Sequence, residues 1–153
     1  PETEGDRRWS LDLPLRSVFS AEFWALRHQG WIFAPALLYE INRHRPRRWH
    51  FTLTAGPQFA NRTYHAYYYG VEGRYAKPSR PAYSAEGGYN GSRLSLSLSR
   101  QYEDYWFGVL LRYDSLHGAA FADSPLVQTK HYYIVGLAVS WTFARSERPA
   151  KRY

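Results

Sequence analysis

Four arginines fall within the six residues Arg43-His44-Arg45-Pro46-Arg47-Arg48, a density of charge that suits an anionic partner. Arg43, Arg45, Arg47 and Arg48 read first as cations facing phospholipid phosphates, where basic side chains are favoured. The sharper reading is a periplasmic docking patch for anionic murein or an acidic protein face. Tyr64, Tyr67, Tyr68 and Tyr69 form a candidate external aromatic loop. It offers a carbohydrate or adhesive surface, or packs over the mouth of the structure beneath it. A third set, Asp12, Arg16, Glu22, Glu40, Arg112 and Asp114, sits inside alternating segments and suits a network of ion pairs better than acid–base catalysis.

Other chemistry finds little support. The chain has no cysteine, which removes disulfides, thiol catalysis and thiolate metal sites. The six histidines (28, 44, 50, 65, 117 and 131) mostly fall at turns and strand ends, without a metal-site spacing. Ser124 lacks the strand–turn–helix context of a nucleophile elbow. Nucleic-acid binding has only the net charge of +7 behind it. No catalytic residue, cofactor or metal is assigned, and the chain reads as non-enzymatic.

The elements that must carry these groups are strands. From Tyr132 to Phe143 one face holds Tyr133, Val135, Leu137, Val139, Trp141 and Phe143, and the other is smaller and more polar. That period of two marks a β-strand. Its length exceeds the usual ~5–6 residues of a soluble strand and meets the ~9–11 needed to cross a bilayer at a tilt. The mean hydropathy of −0.57 does not contradict this, because a membrane barrel alternates polar with apolar residues. Aromatics make up 18% of the chain, with 14 Tyr and 6 Trp, as interfacial girdles require.

Similar alternation predicts strands over about 11–26, 31–42, 49–60, 83–99, 105–116 and 132–143, and no helix of useful amphipathicity. A turn is expected at His28-Gln29-Gly30, a bulge or unpaired position at Pro35, a local break at Gly56-Pro57, and a bulge or register shift near Gly87, Gly88 and Gly91. An arginine facing lipid near the midplane costs about 2–4 kcal/mol, so Arg16 and Arg112 are expected inside, paired with Asp12, Glu22, Glu40 or Asp114. A soluble barrel would invert the faces, and alternation alone does not choose between them.

The long connections 61–82 and 117–130 fall at one end, expected outside the cell. The Arg43–Arg48 and Gln101–Asp104 turns and both termini fall at the other. The fold class is therefore all-β, an antiparallel transmembrane barrel spanning residues 11–143, with a polar periplasmic lead-in at 1–10 and a basic periplasmic tail at 144–153. Small membrane barrels start at eight strands, so the six strands are expected to form part of a larger barrel. Their edges would then pair with N-terminal strands of the same protein or with another chain.

With the strands placed, residues 55–143 resemble the C-terminal part of the MltA-interacting protein/OmpV family. The likeness lies in Gly56-Pro57, Tyr68-Tyr69-Gly70-Val71 and Tyr83-Ser84-Ala85-Glu86-Gly87-Gly88. It continues in Tyr113-Asp114-Ser115-Leu116, Ala122-Asp123-Ser124-Pro125-Leu126-Val127 and Gly136-Leu137-Ala138-Val139-Ser140-Trp141-Thr142-Phe143. The resemblance implies an outer-membrane location in contact with its lipids. It also implies a scaffold or interaction role for murein-processing enzymes or other envelope proteins. The alternative within the same family is a small porin-like diffusion channel or a surface adhesin.

Overall fold

The computed structural model of the chain describes residues 6–42 and 48–144. Eight strands within them form one antiparallel sheet. They are β1 (Arg7–Asp12), β2 (Leu15–Glu22), β3 (Ala25–Phe33), β4 (Ala36–Ile41), β5 (Trp49–Ala60), β6 (Gly88–Gln101), β7 (Tyr105–Ser115) and β8 (His131–Trp141). Helix α1 (Arg62–Tyr69) follows β5. β1 and β2 are two halves of one stave, interrupted at Leu13-Pro14; β3 and β4 are halves of the next, interrupted at Ala34-Pro35. Proline has no N–H to give a ladder, and the interruptions face each other, with Ala34 N donating to Pro14 O at 3.1 Å. The sheet thus has six staves, each paired with its neighbour in sequence, and Pro35 is the unpaired position expected of it.

Two local expectations are corrected. The chain does not reverse at His28-Gln29-Gly30; it reverses at Phe23-Trp24, and the first stave runs from Arg7 to Glu22. Gly30 uses its positive φ (129°) for a β-bulge instead. The ladder passes from Val18↔Gly30 to Phe19↔His28 and leaves Gln29 over. Nor is β5 broken at Gly56-Pro57: the strand runs through to Ala60. Gly56 serves a close approach, since a Cβ there would collide with the Pro35 carbonyl. The bulge expected near Gly91 is present, with Asn90 left over between Gln58↔Gly91 and Phe59↔Tyr89.

The 61–82 connection contains α1, against the expectation of no useful helix. Eight residues, four of them Tyr, would not hold a helix alone; capping and packing do. Asn61 Oδ1 accepts from Tyr64 N at 3.2 Å and from Trp31 N at 3.0 Å, so one side chain caps α1 and ties it to β3.

Register sorts the faces. One row across the sheet reads Trp9, Tyr39, Leu53, Leu96, Leu111 and Val135, and the next Leu11, Leu37, Ala55, Leu94, Tyr113 and Tyr133. Nothing among the described residues covers this apolar face, and Leu137 and Val139 are 73% and 70% exposed. The opposite face carries Thr52, Thr54, Ser95, Ser97, Arg93, Arg112 and Asp114, and α1 lies over one end of it. A soluble barrel would have its apolar residues inside; here the polar face is the covered one.

Aromatics bound the apolar face at both ends. Trp31, Phe59, Tyr89, Tyr113 and Tyr133 mark the end of the long connections, and Trp9, Tyr39, Trp49, Tyr105 and Trp141 the other. Several are paired: Trp9 with Tyr39 at 4.5 Å, Phe59 with Tyr89 at 5.9 Å, Tyr105 stacked on Trp141 at 6.0 Å. From Trp49 to Phe59 the strand advances ten steps of about 3.4 Å. At a tilt of about 45° that is roughly 24 Å in height, against the ~25 Å apolar band of membrane barrels.

The tip at Phe23-Trp24 and residues 61–87 and 116–130 lie at one end, and Asn42, Arg48 and residues 102–104 at the other, as loop lengths suggest. β8 does not return to β1 or β2, so the sheet is open.

Candidate functional site

The polar face is closed at its loop end by a small plug. Ala85, Leu116, Ala119 and Phe121 form a buried cluster against which Tyr69, Tyr83, Ala122 and Val127 pack. Tyr69 of α1 stacks on Phe121, with ring centroids 3.6 Å apart and 9° between planes. His65, fully buried one turn earlier, meets the edge of Phe121 at 4.7 Å. Ser124 Oγ donates to Tyr69 O at 2.7 Å and ties the 116–130 connection to the end of α1. A helical spacing of four puts His65 and Tyr69 on one face, and that face meets the second loop.

Below His65 a chain of polar groups descends into the sheet. His65 Nδ1 lies 2.6 Å from the Glu86 carbonyl, which only accepts, so Nδ1 carries the proton. His65 Nε2 lies 3.1 Å from Asn90 Oδ1. The Gln58 amide, oriented with its oxygen toward Arg93, accepts from Nε at 3.0 Å and Nη2 at 3.1 Å. The Asn90 amide nitrogen lies 3.4 Å from the Gln58 amide, so Asn90 stands between His65 and Gln58. The left-over residue of the β6 bulge is therefore the link between plug and sheet.

Arg93 Nε also donates to Asp114 Oδ1 at 2.8 Å. Arg112 Nε donates to Asp114 Oδ2 at 2.8 Å, and Arg112 Nη2 reaches the same oxygen. Two guanidinium groups thus share one carboxylate. A cavity of about 200 Å³ opens here, lined by Arg93, Arg112, Asp114, Tyr64, Tyr69 and Tyr132 among others. Burial pushes the Tyr69 phenol up to about 12, and its neighbours Tyr64, Tyr132 and Tyr68 add to the shift. Burial likewise raises Tyr64, helped by Tyr68 and opposed by the nearby Arg93 cation. On the outer side of α1 a wider groove of about 880 Å³ runs between Arg62, Tyr67, Tyr75, Arg80 and Tyr83.

An apolar face between aromatic girdles and a plugged polar face agree with what comparison shows. A family model described as MltA-interacting protein MipA matches residues 4–143. The chain belongs to the MipA family. No curated protein and no solved structure matches it. The MipA match takes in β1 to β5 as well as the region whose motifs carry the resemblance in the sequence, so the likeness is broader than residues 55–143.

In this MipA chain the candidate residues separate. Tyr64, Tyr67, Tyr68 and Tyr69 all lie on α1. Tyr69 packs inward on Phe121, Tyr64 lines the cavity, and Tyr67 and Tyr68 are exposed beside each other at 4.8 Å. Of the six charges expected to form one network, Arg112 and Asp114 meet. Asp12 and Arg16 do not join them: both are exposed on the first stave, and Asp12 on β1 stands four strand spacings, about 19 Å, from β7. Glu40 lies on β4, away from the cavity lining. The side chain of Glu22 lies outside the described ones. Arg43, Arg45 and Arg47 lie outside the described residues, as do 1–5 and 145–153 of the expected lead-in and tail; Arg48 is exposed at the turn end. The lead-in is partly strand, since β1 begins at Arg7.

Sequence reasoning missed Arg93, Gln58, Asn90 and His65. Arg93 shares parity with Ser95, Ser97 and Ser99 and was open to inference. Nothing in sequence announces His65, whose partners Glu86 and Asn90 are 21 and 25 residues away.

Proposed function

We propose that this MipA chain is a non-enzymatic outer-membrane barrel component that acts as a scaffold or interaction partner for murein-processing enzymes. Membership of the MipA family, whose name records interaction with MltA, supports the role. The observation that carries the membrane part is the uncovered apolar face bounded by two aromatic girdles roughly 24 Å apart. Lipid is the environment in which such a face is stable, and the envelope of a Gram-negative cell, where MipA proteins belong, supplies it. The turn end, with Arg48 exposed, then faces the periplasm and its murein enzymes, and α1 with the 116–130 connection faces outward.

An open edge in hydrocarbon leaves N–H and C=O groups unpaired at several kcal/mol each. Strand pairing along β8 and the first stave therefore comes from further strands of the same protein or from another chain. The plug favours a scaffold over a diffusion pore, because α1 occupies the loop end of the polar face.

Binding of purified MltA to the detergent-solubilised, immobilised protein tests the role. Saturable binding that weakens with salt is expected. No binding, together with discrete channel openings in planar bilayers, would replace the scaffold with the pore. No binding with attachment of the protein to host cells or matrix would replace it with the adhesin.

A further inference from the structure

The ion-pair cluster under α1 holds one more positive charge than it neutralises. Arg93 and Arg112 both bind Asp114, the one carboxylate among the described residues that line the cavity. Each guanidinium uses Nε and Nη2 there, and neither Nη1 group has a protein acceptor among the described residues. The phenol groups of Tyr64, Tyr69 and Tyr132 also have no hydrogen-bond partner among the described residues. They lie close enough to influence one another electrostatically, and Tyr64 feels Arg93. Donors are therefore abundant, and the one acceptor of full charge among the described residues lining the cavity is already shared twice.

We propose that the cavity beneath α1 is a binding site for a small oxyanion, held by Arg93 and Arg112 and hydrogen-bonded by the surrounding tyrosine hydroxyls. Guanidinium presents paired N–H groups in a plane that fits two oxygens of phosphate or carboxylate. A cavity of about 200 Å³ holds such an anion with several waters. An unneutralised cation in a partly dry cavity is unfavourable, and an oxyanion offsets it where the fold supplies no second carboxylate. Gln58 and Asp114 fix Arg93 from two sides, so the donor array is set before the ligand arrives. This site is independent of the scaffold role, since it lies on the polar face under the plug rather than at the periplasmic turns.

Thermal unfolding of the detergent-purified protein, followed by heat-modified gel mobility during titration with inorganic phosphate at constant ionic strength, tests the proposal. A saturable rise in melting temperature is expected, with acetate giving a smaller one. Arg112→Gln keeps the Arg93–Asp114 pair, so the fold survives, and the apparent affinity for phosphate should fall at least tenfold. Asp114→Asn frees both arginines and should tighten binding at least tenfold; a purely structural brace predicts instead a less stable protein with no gain in affinity. Arg62→Gln, on the outer groove, should respond as the unmodified protein does. An equal response from all variants marks a general salting effect and overturns the site. Loss of the response in Arg62→Gln, a weaker response in Asp114→Asn, or no saturable rise in the unmodified protein also overturns it.

Discussion

Replacing Phe121 by alanine should release the plug while leaving the sheet assembled. Phe121 is fully buried, stacks on Tyr69 at 3.6 Å and meets His65 at 4.7 Å, so it touches both inward residues of α1. Besides Tyr69, three of the six other members of the cluster are alanines (Ala85, Ala119 and Ala122), which cannot reach far enough to fill the space it leaves. Truncation of a buried Phe costs about 3–5 kcal/mol. At a factor of ten per 1.4 kcal/mol, the population with α1 undocked rises roughly 10²- to 4 × 10³-fold. The six staves are held by their own ladders, and none of the strand pairings passes through Phe121. Amide hydrogen exchange of α1 should therefore accelerate by that factor, and trypsin should reach Arg62 and Arg74 sooner. The heat-modified gel mobility that reports the barrel should stay within a few degrees of the unmodified protein. Unchanged protection of α1 would refute the plug as a unit held by this ring. Joint melting of plug and sheet would refute its independence.

Cysteines in place of Ser79 and Asp123 should react with an impermeant maleimide on intact cells, whereas Asp104→Cys should not; the reverse pattern would invert the topology. Gly56→Ala should cost about 1–3 kcal/mol, because its Cβ collides with the Pro35 carbonyl. Gly73→Ala, with open space around it, should be near neutral in the same urea-unfolding assay. Leu137→Arg on the apolar face should destabilise the folded protein in liposomes by about 2–4 kcal/mol, the cost of a cation near the midplane of a barrel's lipid face, whereas Ser97→Arg on the polar face should cost far less. Burial raises the Tyr69 phenol to about 12, so between pH ~10 and that value the folded plug retains a proton that the unfolded chain gives up. Plug stability therefore falls as pH rises through this window. Tyrosinate absorbance of Tyr69→Phe should lack the highest-pH part of the titration.

What sequence alone determined is what strand geometry makes local. Side chains alternate between faces with a period of two, so six staves, their apolar face and the two sets of aromatics could be read directly from residues such as Leu94, Leu96 and Leu98 beside Ser95, Ser97 and Ser99. Loop length placed both long connections at one end. A glycine, by contrast, states only that a Cβ is unwelcome. Gly30 reads as a turn, yet it sits in a bulge against α1, and Gly56 reads as a break, yet it admits the Pro35 carbonyl. Which obstacle a glycine avoids depends on what another part of the chain brings beside it. The same holds for α1, a helix of weak local preference that exists because Asn61 caps it onto Trp31 and Phe121 receives Tyr69. The charges show the limit most clearly. Parity sends Arg16 and Arg112 to one face, but register and stave order decide which carboxylate each can reach. Across four strand spacings Asp12 is out of range of Arg112, whereas Asp114, two residues along the same strand, is in contact with it. Tertiary structure alone brought Arg93, Gln58, Asn90 and His65 into one chain, because hydrogen bonds act over about 3 Å and the sequence separations they bridge run from 21 to 35 residues.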